Sequence, residues 1–236
     1  LSQLQAKGQM PQNPVMFNTI VTSDLGEKIA SKYGVETEKT LTGFKFIGEK
    51  VAKYEKTQAK NYVFGYEESY GSLIKPFVRD KDAPQACLML AEAACFYKAQ
   101  GKTLVDVLNG LYAELGYYKE SQTSLTLKGQ EGALRIKEIL DTLRKDKPAQ
   151  IGGTAVVAIE DYQEATREEN GVIAALEGFS RSNVLKYYLA DGSWIAIRPS
   201  GTEPKCKFYY CIKGVSAQDA EAKTEIMQKA IADLVA

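Results

Sequence analysis

The sequence predicts an α/β domain followed by a smaller α+β domain. Strand-like and helix-like patterns alternate through Leu1–Tyr97, whereas the C-terminal part shows several strand patterns and then one long helix. A length of 236 residues exceeds the usual size of a single domain. We place the boundary in the charged segment Arg144–Gln150, which contains Pro148, and therefore expect domains over residues 1–145 and 146–236.

The first domain opens with strands and helices in alternation. Short apolar or β-branched runs predict strands, and apolar residues at helical spacing predict helices. In chain order these are the strand Val15–Val21, the helix Ser23–Tyr33, the strand Val35–Leu41, the helix Gly43–Tyr54 and the strand Tyr62–Phe64.

Two well-marked helices follow. Asp82 is the predicted cap of the first, which has Pro84 in its opening turn. Thr103 is the predicted cap of the second, with Asp106 three residues later. The interior Cys87–Tyr97 is apolar nearly all round, so we expect it to lie deep in a core.

The remaining elements change in order and kind. A further helix is predicted over Gln130–Leu143, then strands over Thr154–Glu160, Asn183–Leu189, Ser193–Arg198 and Lys207–Lys213, and a last helix over Ser216–Val235. Asp191-Gly192 between two of the strands is a hairpin signal. Strands that precede a helix are typical of a small α+β domain.

The composition is that of an ordinary globular protein. Hydrophobic residues make up 44% and charged residues 25% of the chain, and the formal net charge is zero. A neutral balance provides no field that recruits nucleic acid or an anionic membrane. No apolar run approaches the roughly 18 residues of a membrane span. We therefore expect neither nucleic acid nor a membrane as a partner.

Four cysteines in a chain of this length do not indicate a disulfide scaffold. Cys87 and Cys95 are separated by about 12 Å along a predicted helix, too far for a disulfide. Cys206 and Cys211 face opposite sides of a predicted strand. The absence of histidine argues against a zinc site, and we expect four buried thiols in a reducing cytoplasm.

The sequence RPSGTEPK connects two predicted strands near the C-terminus. A phosphate dianion requires a planar cationic fork, hydroxyl donors and backbone N–H groups that converge on one point. Arg198 supplies the fork, and Ser200 and Thr202 supply hydroxyls. Gly201 lets the backbone approach closely, and Lys205 adds a charge at the rim. These residues alone are equally compatible with a polar hairpin whose Pro, Ser and Gly serve only the turn.

A second loop, GYEESYG, directly follows a predicted strand. Its carboxylates suit vicinal sugar hydroxyls, because Glu67 can accept two O–H bonds. If the loop is extended, Ser69 points to the same side as Glu67 and Glu68 points to the other. A solvated acidic loop is the alternative. By itself, the charged run Arg79–Asp82 just downstream is best explained by helix capping with a solvated run of charges.

Together these segments resemble the phosphoglucomutase/phosphomannomutase branch of the α-D-phosphohexomutase superfamily. RPSGTEPK is similar to the phosphate-binding loop of the family's last domain, and GYEESYG to the sugar-binding loop of its third domain. Thr42-Gly43-Phe44-Lys45 resembles a further third-domain loop that helps to distinguish two orientations of the sugar. The resemblance implies a three-layer α/β/α domain with a mixed sheet, followed by a small TATA-binding-protein-like domain of antiparallel sheet and helix.

The resemblance also implies roles for individual residues. Those implied to bind the sugar are Glu67, Ser69, Thr42, Gly43 and Lys45. Those implied to bind phosphate are Arg198, Ser200, Gly201, Thr202 and Lys205. Lys81 matches a family lysine near the transferred phosphate, where it would steady charge or help to move a proton.

The family enzyme that the resemblance implies has four domains. A phosphoserine in the first domain exchanges a phosphoryl group with the sugar through glucose 1,6-bisphosphate, which is both intermediate and activator. Magnesium, held by the second domain, polarises the serine phosphate. This chain shows neither the serine loop nor the metal loop, so we expect it to hold no metal, to need domains 1 and 2 of the same polypeptide, and to be inactive alone. It begins at Leu1 within a helix-like segment, as an internal fragment would.

The implied function is the interconversion of hexose 1-phosphate and hexose 6-phosphate by a cytoplasmic phosphoglucomutase or phosphomannomutase. A phosphopentomutase-type enzyme, a free-standing sugar-phosphate-binding module and a purely structural pair of domains are the alternatives. The substrate must reverse its orientation in the site between the two steps of the reaction, and domain motion would allow this. The segment Arg144–Gln150 is the predicted hinge.

Overall fold

The computed structural model describes residues 1–201 and 203–235. The chain divides into two compact units, Leu1–Gly116 and a second unit that begins at Tyr117. No helix in this described part is long and apolar enough to cross a membrane.

The first unit contains alternating helices and strands in its N-terminal half and a pair of helices in its C-terminal half. In chain order they are α1 (Ser2–Ala6), β1 (Pro14–Thr19), α2 (Leu25–Lys32), β2 (Glu36–Thr40), α3 (Phe44–Thr57), β3 (Asn61–Tyr66), β4 (Ser72–Leu73), α4 (Ala83–Lys98) and α5 (Leu104–Leu115).

The sheet of the first unit has the order β2-β1-β3-β4. β1 pairs in parallel with β2 and β3, whereas β3 and β4 are antiparallel, so the sheet is mixed. On one face Ile47 of α3 packs with Phe17, and on the other Ala30 of α2 packs with Met16. Burial of a large apolar side chain such as Ile47, Phe17 or Met16 contributes about 1.5–3 kcal/mol. The predicted layered α/β domain with a mixed sheet is confirmed.

The helix starts follow the predicted capping residues. At α4 the carboxylate of Asp82 accepts the Gln85 N–H at 3.0 Å. At α5 the Thr103 hydroxyl accepts the Asp106 N–H at 3.1 Å, while the Asp106 carboxylate accepts the Thr103 N–H at 2.8 Å. Both predicted caps are confirmed. Each cap accepts a hydrogen bond from a backbone N–H group that has no acceptor within the helix.

The burial predicted for α4 is wrong. None of its residues is buried, Leu88 is 72% exposed, and Cys87 and Cys95 are exposed rather than buried thiols. α4 packs against α5 and the two-residue strand β4. The helix is apolar nearly all round, but these two elements cover too little of its surface to bury any of its residues. An apolar pattern shows that a helix can be buried, but it does not show that other elements of the same unit pack against it.

The second unit contains a long antiparallel sheet and two helices. In chain order the elements are β5 (Tyr117–Thr126), α6 (Gly129–Lys145), β6 (Gln150–Ile151), β7 (Thr154–Asp161), β8 (Thr166–Glu169), β9 (Val172–Ala175), β10 (Leu185–Leu189), β11 (Trp194–Pro199), β12 (Lys205–Gly214) and α7 (Ala217–Val235).

The sheet of the second unit has the order β5-β12-β11-β10-β7-β8-β9, with β6 paired to β7, and all these pairs are antiparallel. Leu140 of α6 and Met227 of α7 pack with Tyr187 and Ile195 of the sheet in one core. The predicted antiparallel sheet with helices is confirmed. The hairpin predicted between β10 and β11 is also present, with Gly192 at a φ of +84°.

The sheet of the second unit also carries buried residues of polar or aromatic character. Cys206 and Cys211 are buried, as predicted, and burial raises the pKa of Cys206 to about 12. The ammonium of Lys186 lies 4.0 Å from the centre of the Trp194 ring. Both side chains are almost inaccessible to solvent, with exposures of 0% and 1%. The contact is therefore a desolvated cation–π interaction.

The division between the units lies earlier in the chain than the predicted boundary after residue 145. β5 pairs with β12 along its whole length, and α6 contributes Leu140 to the second core. The first unit therefore ends at Gly116. The strand β5 was not recognised in the sequence, because its residues are largely polar and contain no apolar run.

The predicted hinge Arg144–Gln150 lies inside the second unit. The guanidinium of Arg144 donates to the Asp161 carboxylate at 3.0 Å and also to Asn183. These contacts tie the start of the segment to β7 and to the residues that precede β10. The segment is thus fixed within one unit rather than placed between two.

Candidate functional site

The carboxyl ends of β1, β2 and β3 lie at one edge of the first sheet, because the three strands are parallel. This edge is where α/β sheets usually bind ligands. Three loops follow these strand ends, and two of them carry the motifs predicted to bind a sugar.

The structure brings Glu67 and Gly43 into direct contact. The Gly43 N–H donates to Glu67 Oε1 at 3.0 Å, although 24 residues separate them in sequence. Gly43 has a φ of +114°, a conformation that residues with side chains rarely adopt. The Glu67 N–H donates to the Gly71 carbonyl at 2.8 Å and closes the loop into a turn. Burial raises the pKa of the Glu67 carboxyl, because desolvation disfavours its charged form.

Lys81 lies beside the same turn. A Cβ atom placed on Gly71 would come within 2.2 Å of Lys81 Cδ and 3.2 Å of Glu67 Oε2. Only glycine at this position therefore leaves room for the lysine next to the carboxylate. The Lys81 ammonium donates to Asp80 at 2.9 Å, and this hydrogen bond, with the carboxylates of Asp80 and Glu67, raises the pKa of Lys81. Lys81 is thus firmly cationic at neutral pH.

The other residues predicted to bind the sugar differ in their exposure and in their neighbours. Ser69 lies at the exposed tip of the turn, and Thr42 is half-buried directly before Gly43. The ammonium of Lys45 lies 4.8 Å from the centre of the Phe46 ring, and no ion pair joins it to Glu67 among the described residues.

Glu68 is held by two residues that the sequence analysis did not single out. Its Oε2 accepts the hydroxyl of Thr19 at 2.9 Å and that of Thr22 at 3.3 Å. Thr19 is the last residue of β1, and Thr22 lies in the loop that follows it. Residues 67–71 form a turn, so the extended backbone on which the predicted side-chain alternation depended is not present. The signal in the sequence was a pair of threonines at the carboxyl end of an apolar strand, where a sheet of this kind usually binds ligands.

The predicted phosphate loop forms the turn between β11 and β12. The Ser200 N–H donates to the Lys205 carbonyl at 2.7 Å, and the Ser200 hydroxyl accepts the Glu203 N–H at 3.3 Å. No described atom lies within 4 Å of the position that a Cβ on Gly201 would take. Thr202 lies outside the described residues. The turn therefore leaves open space directly above its backbone.

A further cation lies beside this turn. Arg198 of β11 and Lys207 of β12 are directly opposite one another in the antiparallel register, so they share a face of the sheet. Lys205, two residues before Lys207, lies on that face too. Like charges directly opposite are unfavourable, and an anion bound between them relieves this repulsion. Lys207 was missed because cross-strand register cannot be seen in one strand.

A metal site was not expected in this chain. Among the described residues, no group of three or more His, Cys, Asp or Glu side chains is arranged to hold a metal ion. The two loops lie in different units, and their chemistry differs: the first presents a carboxylate beside an ammonium, and the second presents clustered cations. The first suits hydroxyl groups, and the second suits an anion.

Two sequence profiles of one family match the chain. The profile described as phosphoglucomutase/phosphomannomutase, alpha/beta/alpha domain III, matches residues 1–115. The profile described as phosphoglucomutase/phosphomannomutase, C-terminal domain, matches residues 144–230.

Two phosphoglucomutases similar in sequence to this chain support the same family. A phosphoglucomutase of Staphylococcus aureus (strain bovine RF122 / ET3-1) is 39% identical over 215 residues, which are 90% of this chain and 38% of that protein. A phosphoglucomutase of Staphylococcus haemolyticus (strain JCSC1435) is 37% identical over 202 residues, 85% of this chain and 36% of that protein. The chain therefore spans well under half the length of these relatives.

Solved structures share the fold. The open form of the exocytosis-sensitive phosphoprotein pp63/parafusin of Paramecium has a TM-score of 0.61 and 19% identity, covering 93% of this chain and 37% of that one. A phosphoglucomutase/phosphomannomutase family protein of Burkholderia thailandensis has a TM-score of 0.54 and 16% identity, covering 99% and 39%. The chain belongs to the phosphoglucomutase/phosphomannomutase family and corresponds to its domain III and its C-terminal domain.

Proposed function

We propose that this chain supplies the sugar-binding and phosphate-binding parts of a mutase that interconverts hexose 1-phosphate and hexose 6-phosphate. The complete polypeptide is then an isomerase of the phosphoglucomutase or phosphomannomutase type. The observation that carries the proposal is the convergence of Gly43, Glu67 and Lys81 at one edge of the first sheet. These residues come from three separate segments, which a solvated acidic loop would have no reason to bring together.

Glu67 is the proposed contact to the sugar ring. A carboxylate has about four acceptor positions, so the hydrogen bond from Gly43 leaves capacity for vicinal hydroxyl groups. Because Gly43 fixes one oxygen, the carboxylate is oriented before the sugar arrives. Thr42 and Ser69 are proposed as further polar contacts, and Lys45 as a contact at the exposed side.

Lys81 is proposed to steady negative charge rather than to transfer a proton. Its hydrogen bond to Asp80 raises its pKa, so it remains an ammonium at neutral pH and is a poor proton donor. An ammonium beside the sugar hydroxyls would stabilise the charge of a phosphoryl group in transfer.

The turn between β11 and β12 is the proposed site for the phosphate that is not transferred. Arg198 offers a planar fork for two phosphate oxygens, and Ser200 and Gly201 offer a hydroxyl and an open backbone. Lys205 and Lys207 share the face of the sheet with Arg198 and add positive charge. Thr202 is proposed as a further hydroxyl donor from its place in the motif.

Several parts of the proposed reaction lie outside this chain. As the family resemblance implies, Mg²⁺ and the phosphoserine are assigned to domains 1 and 2 of the same polypeptide. Glucose 1,6-bisphosphate is the proposed intermediate and activator. The residues of this chain would bind and orient this doubly phosphorylated sugar beside Lys81, while domain 1 would supply the serine that gives and receives the phosphoryl group.

The test is mutase activity of the complete polypeptide with a Lys81→Met variant. Removing the ammonium while keeping the length of the side chain should lower kcat by about 30-fold or more, since electrostatic stabilisation of this kind contributes that much. Lys98→Met is the matched control, because Lys98 is exposed at the end of α4, away from the turn. Glucose, mannose and pentose 1-phosphates are compared in the same assay. Equal kcat values for the Lys81 and Lys98 variants would refute the role of Lys81, and no turnover of any of these substrates would refute the function.

A further inference from the structure

The second carboxylate of the turn has partners of its own. Glu68 Oε2 accepts hydrogen bonds from Thr19 Oγ1 at 2.9 Å and from Thr22 Oγ1 at 3.3 Å. Both threonines are almost fully buried, with exposures of 0% and 1%. Hydrogen bonds to a charged acceptor are about twice as strong as those between neutral groups. The contact therefore joins the turn after β3 to the loop after β1.

The segment Thr19–Thr22, which we call the threonine loop, is held by hydrogen bonds of its own. The Thr22 N–H donates to the Thr19 carbonyl at 3.0 Å, and the Thr19 N–H donates to the Thr22 hydroxyl at 3.3 Å. The two hydroxyl oxygens lie 2.9 Å apart. The Val21 N–H donates to the Thr19 hydroxyl at 3.4 Å. Glu68 thus attaches to a closed and buried turn rather than to a mobile side chain.

Within the described part of the chain, no comparable side-chain contact holds the tip of the turn after β3. Ser69 is exposed, and Tyr70 is 99% exposed with a φ of +68°, which costs energy for a residue with a side chain. The backbone of the turn is closed by the hydrogen bond from Glu67 to Gly71 and by the pairing of β3 with β4, and side chains of its first residues add further support. Those residues are Glu67, which contacts Gly43, and Glu68, which contacts the threonine loop.

We propose that Thr19, Thr22 and Glu68 form a positioning cluster that holds Glu67 and Ser69 in the geometry needed to bind a sugar. Glu68 acts through the backbone of the turn and does not touch the sugar. By directing its carboxylate to the threonines, the cluster also leaves Glu67 as the one carboxylate of this pair that faces the ligand. This inference rests on the proposed function.

The test is a mutant cycle in the complete polypeptide. Thr19→Val with Thr22→Val removes both hydroxyls while keeping the shape of the side chains, and Glu68→Gln weakens the acceptor. We expect each change to lower kcat/KM for the sugar phosphate about tenfold, as for the loss of a hydrogen bond to a charged group. Because they break the same contact, we expect the triple variant to lose no more than the double threonine variant.

Three further measurements separate positioning from a general loss of structure. Inhibition by inorganic phosphate should stay unchanged, since the phosphate turn lies in the second unit. Amide hydrogen exchange of residues 66–73 should accelerate in the variants. The Thr19→Ser and Thr22→Ser variants should restore kcat/KM. Thr37→Val is the matched control, because the Thr37 hydroxyl is buried on β2 and has no hydrogen-bond partner among the described residues.

The outcomes distinguish this inference from the proposed function. Additive losses in the triple variant would show that Glu68 contacts the sugar directly and would overturn the inference. Unchanged kcat/KM and unchanged exchange in the threonine variants would overturn it as well. If the unmodified polypeptide has no mutase activity, the proposed function fails. Faster exchange in residues 66–73 would then still establish the cluster as the anchor of the turn.

Discussion

The ligand-facing turns of the two units are held in different ways. In the first unit, side chains tie the turn after β3 to segments far away in the sequence: Glu67 to Gly43, and Glu68 to Thr19. In the second unit, the turn between β11 and β12 is closed by its own backbone, through a hydrogen bond of 2.7 Å across the neck of the hairpin. The first geometry depends on how the unit packs, and the second depends mainly on local turn structure.

This difference predicts where distant substitutions act. A change in α3 or in the loop after β1 moves a partner of the first turn and so alters the sugar site. The β11–β12 turn has its supports within a few residues, so only changes in the hairpin itself should alter it.

The largest effect is expected from Arg198→Ala in the complete polypeptide. The guanidinium lies opposite Lys207 at the mouth of the hairpin, and its loss removes the planar fork for phosphate. We expect kcat/KM to fall about 100-fold, as for the loss of hydrogen bonds between charged groups. Arg135→Ala is the control, because Arg135 lies on α6 in an exposed pair with Glu138. Similar kcat/KM values for the two variants would contradict the phosphate assignment.

A smaller effect is expected from Gly71→Ala. The new Cβ would overlap Lys81 Cδ, 2.2 Å away, and crowd the Glu67 carboxylate. The lysine must move, and we expect kcat/KM to fall about tenfold with phosphate inhibition unchanged, as for the misplacement of one positioning group.

Gly110→Ala is the matched control for this change. Gly110 lies within α5, and nothing described lies within 4 Å of the position of its new Cβ. Alanine favours a helix over glycine by about 1 kcal/mol, so this control should raise Tm slightly and leave kcat/KM as it was. If both glycine variants keep full activity, the space beside Lys81 is not required.

The smallest effect on activity is expected from Glu38→Gln. Burial alone would raise the pKa of Glu38, but hydrogen bonds from Lys60, Tyr54 and Lys50 outweigh it and lower the pKa to about 2. A lowered pKa stabilises the folded state above the ordinary glutamate range, and this contribution is lost as the pH falls towards 2.

The measurement is Tm against pH for the complete polypeptide. At pH 7 the variant should lose about 1–2 kcal/mol after allowance for solvent screening, and the difference should disappear in strong acid. Glu36→Gln is the control, because its ion pair with Lys60 is more exposed, at 56% for Glu36, and should matter little. A difference in Tm that is independent of pH would show that packing, not charge, is responsible.

Local structure could be predicted best from the sequence. The caps at Asp82 and Thr103 and the hairpin at Gly192 depend on residues a few positions apart, and all three are present. The parallel strands and the turns at their ends were also found, because apolar runs followed by glycines leave a clear pattern. The placement of the sugar and phosphate motifs on loops followed from these elements.

Structure in which one segment depends on a distant one could not be predicted from the sequence. The strand β5 is polar and was missed, since only its pairing with β12 makes it a strand. The exposure of α4 could not be seen in its apolar sequence, because burial depends on which elements cover a helix. The contacts of Thr19 and Thr22 with Glu68 join residues that the fold alone brings together. Propensity and periodicity carry no information on such contacts.

The chain contains a single tryptophan, Trp194, and it is enclosed in the second unit with the ammonium of Lys186 against its ring. In a preparation of this chain, indole fluorescence is therefore an optical reporter of that unit alone. Loss of the enclosing sheet would shift the emission to longer wavelength and release the ring from the nearby cation. The melting of the second unit could thus be followed on its own without attaching any label.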